Sequence, residues 1–539
     1  MTTGPNRSES NIPDQPLTSP SPDSAAETDG GLQEKPTLLR VLGPRIAIAV
    51  VVGNVIGSGI FLKPGNIAQN SGNFGLIISV WITGGVLCIL GALCFAELAA
   101  MYPQAGGLYI YLREAYGKIV AFLYGWNEVL FGKPASTAAV AVAFAGSLHL
   151  ALGWQQTLVS GVICAVVLIA LIAWLNIMGV VWGGRLQLVI TIIKVAFLAL
   201  VALAPFVMLP FSKNVDFANY STTVQPQQVG VFAQLGVVLL AVMWAYNGWH
   251  GVTPLAEEIR EPQRNIPLAL FVGIGILIVL YVSANLAYHS VLSMDEMAKA
   301  GDHAAERMLE KLLGRWGSAA MSAVIMCSTF GAINTQLLQT PRISFAMGRD
   351  RVFFQSLGKV HVIHRTPAIA IAVMAAMAVL FVCSVAVAKY AITEADRNSA
   401  RIVVSNNSAK SESPDYSKQD KENQPTDLLS VIVRSLRNDS IFSILTNFVI
   451  FTASIFYMLV VLAVIVIRFR NPNQHRPYRT WGYPVVPILF VIVYVWFIAQ
   501  IYLTNPLEAL TGLVIIALGV PVYVVFQLFG QKRESSENG

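Results

Sequence analysis

Two stretches of this chain put helix-breaking residues where a long apolar helix is otherwise dictated. The first is GNVIGSGIF, from Gly53 to Phe61; the second is WAYNGWHGVTP, from Trp244 to Pro254. A glycine inside a helix costs about 1 kcal/mol relative to alanine, and a proline about 3 kcal/mol. Each backbone group left unpaired in lipid costs several kcal/mol more, so a membrane protein tolerates such breaks only where they are buried in protein or line a wet cavity. Unwound turns expose N–H groups, which suit a carboxylate, and C=O groups, which suit an ammonium. An α-amino acid carries both. Close packing of helices through small residues is the competing reading of either stretch alone. Two interrupted spans in matching positions favour a binding site near the membrane midplane.

Ionisable residues inside apolar runs are the next candidates. Lys194 lies in LVITIIKVAFLAL, far from either end of its span. A lysine there costs about 2.5–3.5 kcal/mol on insertion scales, so it needs a partner or a task. Lys133 precedes Pro134 in another span and has two readings. It is a structural charge paired with Glu128 or a carbonyl, or it faces a pocket and selects a carboxylate-bearing side chain. Glu97, Glu257 and Glu258 fall toward helix ends, near Arg113, Arg260 and Arg342. They suit a network that closes an inner gate, or they are solvated charges. His250, beside the second break, reads as packing ahead of a proton relay.

Composition sets what must position these residues. The 539 residues are 55% hydrophobic and only 12% charged, with a mean hydropathy of +0.61. A soluble domain carries about a quarter charged residues, and runs of ~20 apolar residues, long enough to cross a bilayer as helix, recur here. The expected fold is an all-α polytopic membrane protein of 12 transmembrane helices. The spans are placed at 44–69, 74–101, 118–148, 156–178, 185–209, 229–258, 266–290, 315–347, 367–389, 440–468, 483–503 and 506–529. Residues 1–37 are polar and read as a disordered tail, residues 390–439 as a long polar outward loop, and residues 532–539 as a short tail. Among the short loops, basic residues such as Arg113, Arg185, Arg260, Arg349, Arg365, Arg476 and Arg479 gather on the side of the termini. That bias predicts cytoplasmic termini in a multi-pass protein of the cell membrane. The net charge of +6 therefore reports topology and implies no nucleic-acid partner. All five cysteines lie inside apolar segments, so no disulfide framework is expected. No cofactor and no metal is called for by any motif.

The stretches VIGSGIFLKPG (55–65), AELAAMYPQAGGLYIYLREAYG (96–117), WAYNGWHGVTPLAEEIREPQRNIPLAL (244–270), STFGAINTQLLQTPRISFAMGRD (328–350) and RPYRTWGYPVVPILF (476–490) resemble the amino acid–polyamine–organocation superfamily. Within it they resemble the L-type amino acid transporters. The resemblance implies the LeuT-type fold. Residues 38–210 would form a first repeat of five helices and 225–468 an inverted second repeat. Residues 476–531 would hold two further helices and the loop before them. It further implies that the backbone at Ile56, Gly57, Ser58 and Gly59 binds the substrate carboxylate, and that Trp244, Ala245, Asn247 and Gly248 form the other wall. Trp244 would close over the substrate from outside, and the Ala245 carbonyl would meet its ammonium. Lys194 would stand where sodium-coupled relatives hold a sodium ion, making transport sodium-independent, or would carry a coupling proton. Relatives that pair with a glycoprotein have a cysteine in the outward loop after the third helix. The stretch LHLALGWQQT (148–157) has none, so no disulfide-linked heavy chain is expected.

The function predicted is secondary transport of L-amino acids by alternating access, through exchange or proton coupling. An acidic amino acid or a polyamine is the alternative substrate. A non-transporting receptor on the same fold is the alternative class, although a receptor calls for a folded cytoplasmic domain that the sequence does not offer. An enzyme is not expected, because the spans hold no paired catalytic carboxylates with a matched histidine and no HExxH. No Walker-type loop supports ATP drive.

Overall fold

The computed structural model describes the backbone of residues 38–210, 213–226, 230–408 and 441–537. The expected tail at 1–37 and residues 409–439 of the expected loop lie outside the described residues. The first part of that loop, 390–408, instead continues the helix Ala368–Ser408. Its sequence there includes three Ala, two Arg and one Glu, which favour helix, and no Gly or Pro to break one. The last helix, Pro506–Glu537, likewise runs through most of the expected tail at 532–539.

Among the described residues, eleven helices are long and apolar enough to cross a membrane. They correspond to every expected span except the sixth. At 229–258 the apolar helix stops at Val231–Tyr246, because the Asn247–Gly248 turn ends it. Large apolar side chains such as Val167, Trp182, Leu200 and Ile492 point outward. A soluble monomer rarely exposes apolar patches of that extent, so this belt faces hydrocarbon.

The first span packs against the fifth (Val180–Met208), the seventh (Pro262–Val291) and the eighth, whose helix is Arg315–Gln339. The second span (Phe74–Met101) lies along the seventh, and the third (Lys118–Leu152) along the eighth. Small residues permit the closest of these approaches. A Cβ added at Gly53 would fall 2.1 Å from the side chains of Gln187 and Thr191. One added at Gly59 would fall 2.7 Å from the Ala245 Cα, so the two interrupted spans touch at their breaks.

Each end of this bundle is tied. On the side of the described N-terminus, the Leu42 amide donates to the Glu258 carbonyl and the Arg260 amide donates to the Leu42 carbonyl, both at 2.9 Å. That bridge joins the start of the first span to the far end of the sixth. On the opposite side two short helices, Met294–Ala300 and Ala304–Leu313, form a cap between the seventh and eighth spans. The first starts on a capping box of Ser293 and Glu296, and it packs on the helix Pro64–Ser71 that continues the first span outward.

Candidate functional site

The helix Pro44–Val55 ends where Ile56 turns to φ −69° and ψ 80°, and helical structure resumes at Gly59. The carbonyls freed there are satisfied from three neighbouring spans. The Lys194 ammonium of the fifth span donates to the carbonyls of Gly53 at 2.9 Å and Ile56 at 2.8 Å. The Ser328 hydroxyl of the eighth span donates to Ile56 at 2.8 Å and lies 3.1 Å from the Gly57 carbonyl. The Tyr281 hydroxyl of the seventh span lies 2.9 Å from the Val55 carbonyl and 3.0 Å from the Ala245 carbonyl. One phenol proton is therefore shared between the two interrupted spans. On the other side of the break, Ser58 and Gly59 open a short helix, where N–H groups lack intrahelical acceptors. The Ser58 hydroxyl is buried and has no hydrogen-bond partner among the described residues.

The second break begins at Asn247, which is extended (φ −59°, ψ 139°), and continues into Gly248 at φ +96°. Only glycine adopts that conformation readily, and a Cβ there would also fall 2.2 Å from the Asn54 amide nitrogen. Asn54 donates to the Gly248 carbonyl at 2.7 Å, and the Tyr457 hydroxyl donates to the Asn247 side chain at 2.9 Å. The first break thus holds the second directly, through Asn54.

Between the breaks lies a cavity of about 30 Å³, room for little more than water. Gly57, Ser58, Gly59, Trp244, Asn247, Gly248 and Lys133 all line it. Ile56, Ala245 and Lys194 are buried but not on its wall. The Ile56 carbonyl is taken by Lys194 and Ser328, and the Ala245 carbonyl by Tyr281. The wall also includes Asn54, Ser136 and Gln336, whose amide donates to Ser136 at 3.1 Å.

The sequence pattern of the family described as "amino acid permease" matches residues 42–526. The chain belongs to this family. It is 27% identical to the serine/threonine exchanger SteT of Bacillus subtilis over 94% of its own length and 99% of that protein's. It is 29% identical to the mouse large neutral amino acids transporter small subunit 2, covering 93% of this chain and 83% of the relative. It is 26% identical to the human cystine/glutamate transporter, covering 93% and 87% respectively. The protein is an integral, multi-pass amino acid transporter, and its relatives are transporters, not enzymes.

Lys133 of this permease owes its position to a π turn over Glu128–Gly132, in which the Lys133 amide donates to the Glu128 carbonyl. Such i to i+5 turns bring together residues that an α-helix sets on different faces. The Lys133 ammonium lies 3.1 Å from the Glu128 carboxylate, and both are buried. Both readings of Lys133 therefore meet in one geometry: it is paired, and it lines the cavity. His250 packs its ring on Tyr457 at a centroid distance of 4.8 Å.

The acidic residues near the described N-terminal face have partners that differ in part from those expected. Glu258 and Arg342 form a fully buried pair, with Nε–Oε1 at 2.8 Å and Nη2–Oε2 at 3.2 Å. Glu257 meets Arg349 at 2.9 Å. Glu97 meets Arg468 at 2.6 Å and Arg476 at 3.4 Å, and accepts the Thr480 amide at 2.7 Å. Arg113 instead pairs with Asp350 at 2.7 Å and with its neighbour Glu114. Chain order hid the Glu97 pairing, because Arg468 is remote in sequence and reaches Glu97 only through the packing of the tenth span. Tyr281 and Ser328 were missed for the same reason. Their only sequence signal is a hydroxyl inside an apolar run.

Two substitutions test this arrangement. Tyr281→Phe keeps the ring and removes the shared proton, leaving the Ala245 carbonyl without this donor and the Val55 carbonyl with the Gly57 amide alone. It should destabilise the detergent-solubilised protein by about 1–3 kcal/mol, read as a lowered thermal midpoint. Glu258→Gln should be more severe, about 3–5 kcal/mol, because it strands the buried Arg342 charge. The double variant Glu258→Leu/Arg342→Met should recover much of that loss in the same assay.

Proposed function

We propose that this permease is a sodium-independent exchanger of L-amino acids that works by alternating access about the two breaks. The observation that carries this reading is Lys194, whose ammonium sits 2.9 Å and 2.8 Å from the carbonyls of Gly53 and Ile56. Carbonyls freed by a helix break attract a cation, and a tethered one removes the need for a mobile one. The substrate carboxylate is met by the Ser58 hydroxyl and by the N–H groups at Ser58 and Gly59. The ammonium is met by oxygens of the second break, and Trp244 covers the substrate. The name of the bacterial relative, an exchanger, supports exchange over proton symport.

The Lys133–Glu128 pair is neutral overall, which favours substrates with uncharged side chains. An acidic substrate is the second reading, because the Lys133 ammonium itself lines the cavity. Inward opening requires the Glu258–Arg342 and Glu257–Arg349 pairs to part, so these are the residues we assign to the inner gate, together with Glu97. The basic short loops support cytoplasmic termini. The turn after the third span, residues 153–157, has no cysteine, which supports a protein that works without a disulfide-linked heavy chain.

Counterflow into liposomes with a panel of amino acids tests the reading. Neutral L-amino acids should exchange equally well in sodium and in choline, with glutamate competing weakly. Sodium-dependent uptake, or failure of every amino acid, overturns it; strong competition by glutamate shifts it to the second reading. Lys194→Met should abolish exchange in either salt. Gly57→Ala should lower exchange at least tenfold while leaving the thermal midpoint unchanged, since a Cβ there meets nothing nearer than the Val55 carbonyl at 3.8 Å and occupies the cavity instead.

A further inference from the structure

The turn between the eighth and ninth spans holds apolar side chains away from every core. It follows the helix Pro341–Arg349 and precedes the helix Ala368–Ser408, so it lies on the side of the described N-terminus. Its tip is closed by backbone bonds. The His361 amide donates to the Thr366 carbonyl at 2.8 Å, and the Arg365 amide donates to the His361 carbonyl at 3.0 Å. Nδ1 of His361 accepts the amides of Ile363 and His364 at 3.3 Å and 3.2 Å. The rings of His361 and His364 stack at a centroid distance of 4.7 Å. On this ordered tip Val362 and Ile363 are 74% and 80% exposed. Two adjacent β-branched side chains fixed in that position gain by entering an apolar phase.

The base of the turn sets its depth. The Thr366 hydroxyl donates to the Ile177 carbonyl at 2.9 Å, which ties it to the end of the fourth span, Leu158–Ile177. Trp174 and Trp182 flank Ile177 in the chain, and both are exposed. Tryptophan gathers at the membrane–water interface, so these two mark the headgroup level beside the turn. Charge selects among lipids. Residues 351–367 contain Arg351, Lys359 and Arg365 and no Asp or Glu. Acids of the neighbouring helix ends serve other arginines: Asp350 pairs with Arg113, and Glu257 with Arg349. With Nδ1 accepting, the neutral His361 ring carries its proton on Nε2 and adds a donor. Arg185, three residues along the fifth span from Trp182 and so on the same face, is exposed as well. An apolar tip beside cations fits an anionic interface. A zwitterionic headgroup offers those cations no net charge.

We propose that the turn at 361–366 is a binding site for an anionic phospholipid, in the leaflet on the side of the described N-terminus. Val362 and Ile363 enter the acyl boundary, while Lys359, Arg365 and the His361 Nε2–H hold the headgroup phosphate. Native mass spectrometry of the full-length, detergent-solubilised protein tests this, and it needs no transport. The titrants are dioleoylphosphatidylglycerol and dioleoylphosphatidylcholine. The first phosphatidylglycerol should bind about tenfold more tightly than phosphatidylcholine, and excess glycerol 3-phosphate should not displace it. Lys359→Gln/Arg365→Asn should remove most of that preference and leave phosphatidylcholine unchanged. Asparagine suits position 365, whose φ is +52°. Val362→Ser/Ile363→Ser should weaken both lipids. Arg264→Gln, at an exposed cation on the same side, should change neither. Equal affinity for the two lipids, displacement by glycerol 3-phosphate, a charge variant no weaker than Arg264→Gln, or a tip variant that binds both lipids as the unaltered protein does would each overturn the proposal.

Discussion

The fold of this permease rests on the carbonyls that its first transmembrane helix leaves open. In hydrocarbon an unpaired carbonyl is disfavoured by several kcal/mol, and this break leaves those of Gly53, Ile56 and Gly57 to side-chain donors, while that of Val55 keeps the Gly57 amide and gains the Tyr281 hydroxyl. The donors come from three separate helices: Lys194, Tyr281 and Ser328. The fifth, seventh and eighth spans are thereby held around the first, and the break becomes the point about which the bundle is organised. The same requirement explains how a central lysine is tolerated. Its ammonium and the open carbonyls each remove the desolvation penalty of the other.

The bonds at the breaks also link the two interrupted spans. Tyr281 shares its proton between the Val55 and Ala245 carbonyls, and Asn54 donates to Gly248. A motion that separates the spans must exchange these bonds. On the described N-terminal side the links are of another kind. A fully buried Glu258–Arg342 pair and the backbone bridge at Leu42 join the sixth span to the eighth and the first. A buried ion pair adds little net stability over apolar packing but is sharply penalised when half broken. Such a contact favours two discrete arrangements over a continuum.

Much of this was legible in the chain. Hydropathy placed twelve spans, eleven of which are long apolar helices among the described residues, and glycine spacing marked the breaks in the first and the sixth. It did so because glycines and polar residues inside an apolar run are informative against a uniform background. Lys133 and Lys194 stood out for the same reason. The limits of the ninth span were less legible. A stretch such as ITEADRNSARIVVS reads as loop by polarity and as helix by propensity, and its backbone follows propensity.

By itself the sequence determined the class of the protein, eleven of the twelve expected spans, the two breaks and the residues that could not lie idle in a membrane. These follow from local chemistry, because the bilayer penalises each unpaired group wherever it sits. Only the tertiary structure decided which groups satisfy which. It turned the Ile56 and Ala245 carbonyls away from the cavity, set Glu97 against Arg468 instead of Arg113, and joined Lys133 to Glu128 through a π turn. Partners distant in sequence are chosen by how helices pack, and packing is settled by the shapes of whole faces. No residue type or spacing along the chain encodes that choice directly.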